Sequence, residues 1–130
     1  MDTLKLHSHF ENLLYVGRSV LTNTSSRIQR LFFKKEMCIY EYLFKEEASK
    51  GIEIVVDNAV LVCVLENDIC NKSILYLNDS TNVTSYINYC NSTFEYDKLR
   101  YRWIMPDGNL THFIPNDDFE KRFAFVQTLV

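Results

Sequence analysis

The stretch Ile52–Glu66 limits what this chain can become more than any other. It is an almost unbroken apolar run, mostly Val, Ile and Leu with Ala59 and Cys63, interrupted only by Glu53 and Asp57-Asn58 and closed by Glu66. Such β-branched content suits strands, and an Asp-Asn pair suits a turn. The expected elements are Ile52–Asp57 and Ala59–Glu66. Because neither stretch alternates cleanly, both are expected to be central strands covered on two faces. The rest of the chain must then supply flanking strands and a layer of helix.

Flanking strands are legible on both sides. Met37–Phe44 places Cys38, Tyr40, Tyr42 and Phe44 on one face, and a charged turn is expected over Lys45–Gly51. After a turn at Asn67–Lys72, Ser73–Asn78 reads as another strand, followed by a turn at Asp79–Asn82. Val83–Tyr89 and Phe94–Tyr96 fit either short strands or loop. Leu99, Tyr101 and Trp103 alternate with Arg100 and Arg102, which predicts a half-buried strand over Leu99–Met105. Pro106-Asp107-Gly108-Asn109 is a tight-turn signal, Leu110–Ile114 the return strand, and Pro115 its stop.

Helices are expected at both ends. From Leu4 to about Leu21, Leu6, Phe10, Leu13, Leu14 and Gly17 share one side. Thr22–Ser26 is a polar loop offering a cap, and Arg27–Phe33 a short helix with Ile28, Leu31 and Phe32 on its apolar face. At the C-terminus Asp117 reads as an N-cap, with Glu120 three residues on as in a capping box. Phe119, Phe123, Val126 and Val130 then form an apolar stripe. The expected class is α+β: a bent antiparallel β-barrel in residues 35–130, ending in a capping helix, with a helical segment over 1–34, all one structural domain.

Size and charge narrow the function. A chain of 130 residues fits one domain. A net charge of −3 leaves no bulk electrostatic footprint for nucleic acid, so any RNA contact is expected to be indirect or weak. No apolar run approaches the roughly 20 residues that span a bilayer, and the start lacks a signal-peptide pattern, so an intracellular protein without a membrane partner is expected. Cys38, Cys63, Cys70 and Cys90 lack C-x-x-C spacing and read as small buried hydrophobes, with no metal site. Asn-x-Ser/Thr triplets begin at Asn23, Asn71, Asn78, Asn82, Asn91 and Asn109, the one pattern that favours a secreted or viral glycoprotein.

Candidate catalytic groups do not assemble. His7 and His9 are two residues apart and do not share a helix face, His112 lies in a strand, and Asp117-Asp118 fit helix capping. No phosphate-binding glycine loop or nucleophile motif is present. No enzyme and no cofactor are therefore expected. Aromatic side chains on the expected strands stand out instead: Tyr40, Tyr42, Phe44, Tyr101, Trp103 and Phe113. Most should be core, and a few can line a groove for a polyproline II peptide.

From about Arg27 onward the chain resembles the activator subunit of the mRNA-decapping enzyme, a family with a pleckstrin-homology/EVH1-like fold. Arg27-Ile28-Gln29-Arg30-Leu31 followed by Cys38-Ile39-Tyr40-Glu41-Tyr42 resembles that family's second helix running into its first strand. Asp57-Asn58-Ala59-Val60-Leu61-Val62, Ile74-Leu75-Tyr76-Leu77-Asn78 and Leu99-Arg100-Tyr101-Arg102 resemble later strands. There are departures. Asn78-Asp79 replaces the family's Asn-Arg pair, and Gly51 and Phe113 stand where it has tryptophans.

The resemblance implies a non-catalytic subunit, cytoplasmic and in P-bodies, that binds and stimulates a Nudix-type decapping hydrolase. It implies a hydrolase contact through Leu13, Leu14, Ile28, Leu31 and Phe32. It also implies recruitment of proline-rich cofactors in a groove of Tyr40, Tyr42, Trp103 and Phe113. A generic EVH1- or Ran-binding-like interaction module is the alternative.

Overall fold

The computed structural model describes residues 3–44, 47–57, 59–77, 82–115 and 123–129. Two helices lead, α1 (Thr3–Ser19) and α2 (Ser25–Leu31). Four strands follow: β1 (Met37–Phe44), β2 (Glu47–Val56), β3 (Ala59–Glu66) and β4 (Ile69–Leu77). Next come α3 (Val83–Thr93), β5 (Glu95–Asp97), β6 (Arg102–Ile104), β7 (Leu110–Ile114) and β8 (Phe123–Thr128). All eight strands form one antiparallel sheet in the order β1-β2-β3-β4-β8-β7-β6-β5. The class is α+β, as expected. The sheet is open, however, with β1 and β5 at its two edges, and does not close into a barrel.

The Ile52–Glu66 stretch forms β2 and β3, paired from Val56↔Ala59 outward. β3 is covered on both faces, but β2 alternates: Ile52, Ile54 and Val56 are buried while Glu53 and Val55 are not. The expected charged turn is shorter than its sequence suggests, since β2 already begins at Glu47. Asn67 and Asp68, both at positive φ, make the two-residue turn into β4, because Asn and Asp tolerate the left-handed region.

The C-terminal segment overturns an expectation. Phe123–Thr128 is not a capping helix but strand β8, between β4 and β7 in the centre of the sheet. Residues 123–127 are buried on both faces, and the apolar run Phe123–Val126 fits a central strand as well as a helix. The capping pair Asp117 and Glu120, with Phe119, lies outside the described residues. Val83–Thr93 is a helix, not strand or loop. Its buried Tyr86 and Cys90 are four residues apart on one helix face, and Tyr86 stacks on Phe10 of α1.

The core lies between the sheet and the helices. Phe10 of α1 stacks on Tyr86 of α3 with ring centroids 4.4 Å apart, and meets Phe125 of β8 at 4.8 Å. Thr24 caps α2 by accepting from the Arg27 N–H. The loop before it pairs with the start of β4, through Thr22 N–H to the Cys70 carbonyl at 2.7 Å and Cys70 N–H to the Asn23 carbonyl at 2.9 Å.

α1 approaches the sheet closely at Gly17. A Cβ there would lie 2.8 Å from Gln127 Nε2. The same Nε2 donates to the Leu14 carbonyl at 3.0 Å. Ser73, Gln127 and Thr111 are register partners across β4, β8 and β7 and form a buried polar row beneath this contact. Cys63, Cys70 and Cys90 are buried, as expected, whereas Cys38 is exposed. The hydrogen bond with Cys70, with burial, pushes the Cys63 thiol up, and burial pushes Cys90 up to about 12.

Candidate functional site: an aromatic cleft

One side of the sheet carries a cleft of about 350 Å³ lined by Ile87, Asn91, Tyr96, Tyr101, Trp103 and Phe113. Three elements build it. α3 supplies Ile87 and Asn91, one turn apart and so on one helix face. The β5–β6 hairpin supplies Tyr96 and Trp103, which face each other in register. β7 supplies Phe113.

Trp103 forms the floor, with only 3% of its surface exposed. Its Nε1–H donates to Asn91 Oδ1 at 3.0 Å, which satisfies the buried indole and ties the hairpin to α3. The Tyr96 ring meets the indole at 5.4 Å and 62°. Phe113 packs on Phe125 at 5.2 Å. The walls are thus anchored to the core rather than to loops.

Tyr101 is the exception, and an informative one. It lies at φ 54° in the turn between β5 and β6, and its side chain is 75% exposed. A bulky residue in the left-handed region carries a conformational cost on the order of 1 kcal/mol. Asp97 holds this turn in place: it accepts from the Leu99 N–H at 3.1 Å and pairs with Arg100 and Arg102, each at 3.4 Å. Desolvation raises the Asp97 pKa, but the Leu99 N–H and the Arg100 guanidinium outweigh it and hold the carboxyl below its usual range. The expected strand over Leu99–Met105 is therefore reduced to Arg102–Ile104, because Asp97 draws the preceding residues into a turn.

The four expected groove residues part company. Trp103 and Phe113 share the cleft. Tyr40 lies on β1, five strand positions from β7, which is roughly 24 Å at the usual strand spacing. Its ring covers Gly51 of β2, where an added Cβ would run into it. Tyr42 follows on β1, opposite Ser49, and its side chain lies outside the described residues. Tyr96, Ile87 and Asn91 belong to the cleft and were not anticipated. The pairing of Tyr96 with Trp103 needs a hairpin that no turn motif in Lys98–Tyr101 announces.

The expected hydrolase contacts also divide. Leu13, Leu14 and Ile28 are 2%, 4% and 0% exposed and pack into the core, because the apolar faces of α1 and α2 are the faces that cover the sheet. Leu31 is exposed, Phe32 is half-buried, and the neighbouring Phe33 is the most exposed of the three at 73%. A second, larger cleft of about 490 Å³ runs between α1 and α3 past Tyr15, Arg18, Tyr89 and Phe94. Among the described residues that line it Arg18 is the one cation, and it already reaches Asp107 at 3.6 Å and covers the Tyr15 ring.

Several Asn-x-Ser/Thr triplets are committed to the fold. Asn91 holds Trp103, the Asn23 amide donates to the Ser19 carbonyl, and the hydroxyl residues Ser25, Ser73 and Thr111 are buried. Among the described residues no group of three His, Cys, Asp or Glu side chains is placed to hold a metal ion, and no helix is long and apolar enough to cross a membrane. Comparison with protein-family models, curated proteins and solved structures found no match.

Proposed function

We propose that this chain is a non-catalytic interaction module whose aromatic cleft takes a proline-rich segment in the polyproline II conformation. The observation that carries the reading is the set of four rings, Tyr96, Tyr101, Trp103 and Phe113, gathered in one cleft with Tyr101 held there at positive φ. Strained backbone that places a ring in solvent suits recognition better than packing. Flat rings match the ridges of a polyproline helix, whose carbonyls are free because the helix has no internal hydrogen bonds. Asn91 offers its Nδ2 end toward such a carbonyl, since its Oδ1 is taken by Trp103. Titrating a proline-rich peptide into the protein tests this. Saturable binding that Tyr101→Ser weakens several-fold is expected, and binding unaffected by that change refutes it.

Within this reading, the decapping-activator resemblance suggests the second partner, a Nudix-type hydrolase. The antiparallel sheet and the two leading helices are compatible with the pleckstrin-homology/EVH1-like fold it implies, whereas the open sheet and the strand at Phe123–Thr128 depart from that fold's closed barrel and capping helix. Of the residues it pointed to, Leu31 is exposed and Phe32 half-buried, beside exposed Phe33, and these carry the proposed contact. Co-purification of such a hydrolase from the native host, lost on Leu31→Asp, is the expected result. Retention of the same partner by Leu31→Asp removes this surface from the proposal.

A further inference from the structure

The two edges of the sheet are built differently. β5 is three residues long and carries Glu95 and Asp97, which is how proteins blunt an edge. β1 has eight residues, Met-Cys-Ile-Tyr-Glu-Tyr-Leu-Phe, and pairs with β2 without a register shift. It has no proline, no lysine and no bulge, and Glu41 is its single charge. Among the described residues nothing pairs with its outer side. Among the described residues, five of the eleven large exposed apolar side chains lie on or near this edge: Ile39 and Tyr40 on β1, Val55 on β2, Leu31 at the end of α2 and Phe33 just after it; Tyr15, Ile69, Tyr96, Leu99, Tyr101 and Ile114 are exposed elsewhere.

We propose that the outer edge of β1 is a self-association surface, pairing antiparallel with β1 of a second copy about a twofold axis perpendicular to the sheet. The sequence sets the register. Under that symmetry, residues of one face must meet residues of the same face. The pairing is therefore centred either on Tyr40 or on Glu41. Centring on Glu41 puts two carboxylates directly opposite, which destabilises a strand pair. Centring on Tyr40 puts Tyr40 opposite its own copy, Ile39 opposite Glu41 of the copy, and Cys38 opposite Tyr42 of the copy. The single charge then avoids its image, and its own sheet supplies a counter-charge in Lys50 at 3.9 Å.

The size of the contact sets its strength. Seven paired residues span roughly 23 Å, and a strip of that length and roughly 10 Å depth falls well short of the roughly 800 Å² per partner of a stable complex. A second copy therefore binds in a concentration-dependent equilibrium, not as an obligate dimer.

Sedimentation of the intact protein over a concentration series tests this, with circular dichroism confirming that each variant is folded. The wild type is expected to shift from monomer to dimer as concentration rises. Ile39→Glu sets two carboxylates opposite each other on either side of the central Tyr40 pair, and should leave a monomer throughout. Ile39→Lys sets an ammonium opposite Glu41 of the copy at the same two places, and should dimerise at least as tightly as wild type. Loss of the dimer in both variants overturns the register and points to loose apolar contact. A dimer unaffected by either change places the interface elsewhere. A wild type that stays monomeric at millimolar concentration rejects the proposal, and capture of an unrelated extended peptide by that monomer would identify the edge as a docking strand for another protein.

Discussion

Replacing Gly17 by alanine should destabilise the protein, although in an exposed helix the same change stabilises by about 1 kcal/mol. The Cβ would lie 2.8 Å from Gln127 Nε2 and 3.3 Å from Ser73 Oγ. Gln127 is fully buried, and its Nε2 bond to the Leu14 carbonyl is the one hydrogen bond its amide makes among the described residues, since Oε1 has no partner there. Displacing the amide costs about 1–3 kcal/mol for the buried bond. Forcing volume into a packed layer costs about 1–3 kcal/mol more. Less the propensity gain, the net loss is about 1–5 kcal/mol, read from urea denaturation midpoints at unchanged slope.

The control is the same change in a Gln127→Ala background. With the amide gone, the added methyl has room and the helix gain should emerge, so that Gly17→Ala becomes stabilising by about 1 kcal/mol. A Gly17→Ala protein more stable than wild type would refute the close approach of α1 to β4 and β8, and with it the packing that positions the sheet.

Other predictions are shorter. Tyr101→Gly relieves the left-handed backbone and should stabilise the fold by about 1 kcal/mol while weakening peptide binding; thermal melts and a binding titration on the same sample read both. Phe125→Ala empties a site in contact with Phe10, Trp103 and Phe113, and should cost about 3–5 kcal/mol by denaturant titration. Gly51→Ala drives a methyl into the Tyr40 ring and should cost about 1–3 kcal/mol, most of it recovered in Gly51→Ala/Tyr40→Ala. His112 has its pKa lowered by desolvation and by Arg102 and Lys72. The unfolded chain therefore binds the proton more readily, and stability should be full above the ordinary value of 6.5 and fall as pH drops below it. His112→Gln should flatten that slope in melts between pH 7.5 and pH 5.

The sequence was most legible where one physical signal dominated. Val60 to Leu65 could be little but strand, and the Pro106–Asn109 turn forms as expected, with Gly108 at φ 88°. It was least legible where packing overrides local preference. α3 is made of Val, Thr, Ser, Tyr, Ile, Asn and Cys, none a strong helix former, and its N-cap Asn82 makes no side-chain capping bond. Tyr86 and Cys90 buried beneath α1 hold it helical instead. Phe123–Val126 misled in the opposite sense, since its apolar stripe is shared by a helix face and a strand covered on both sides. The same limits shaped the site. Trp103 and Phe113 were accessible as strand aromatics, whereas Ile87 and Asn91 were hidden in the unrecognised helix. Tyr40 was drawn away by Gly51, a partner that only the β1–β2 register identifies.

Trp103 is the chain's single tryptophan and forms the floor of the cleft, so its fluorescence reports directly on occupancy. Titration with a proline-rich peptide should shift Trp103 emission saturably, with the shift weakened in Tyr101→Ser and preserved in Tyr40→Ala. Emission unchanged to millimolar peptide, or a shift that Tyr40→Ala abolishes and Tyr101→Ser leaves intact, would contradict the assignment of the cleft.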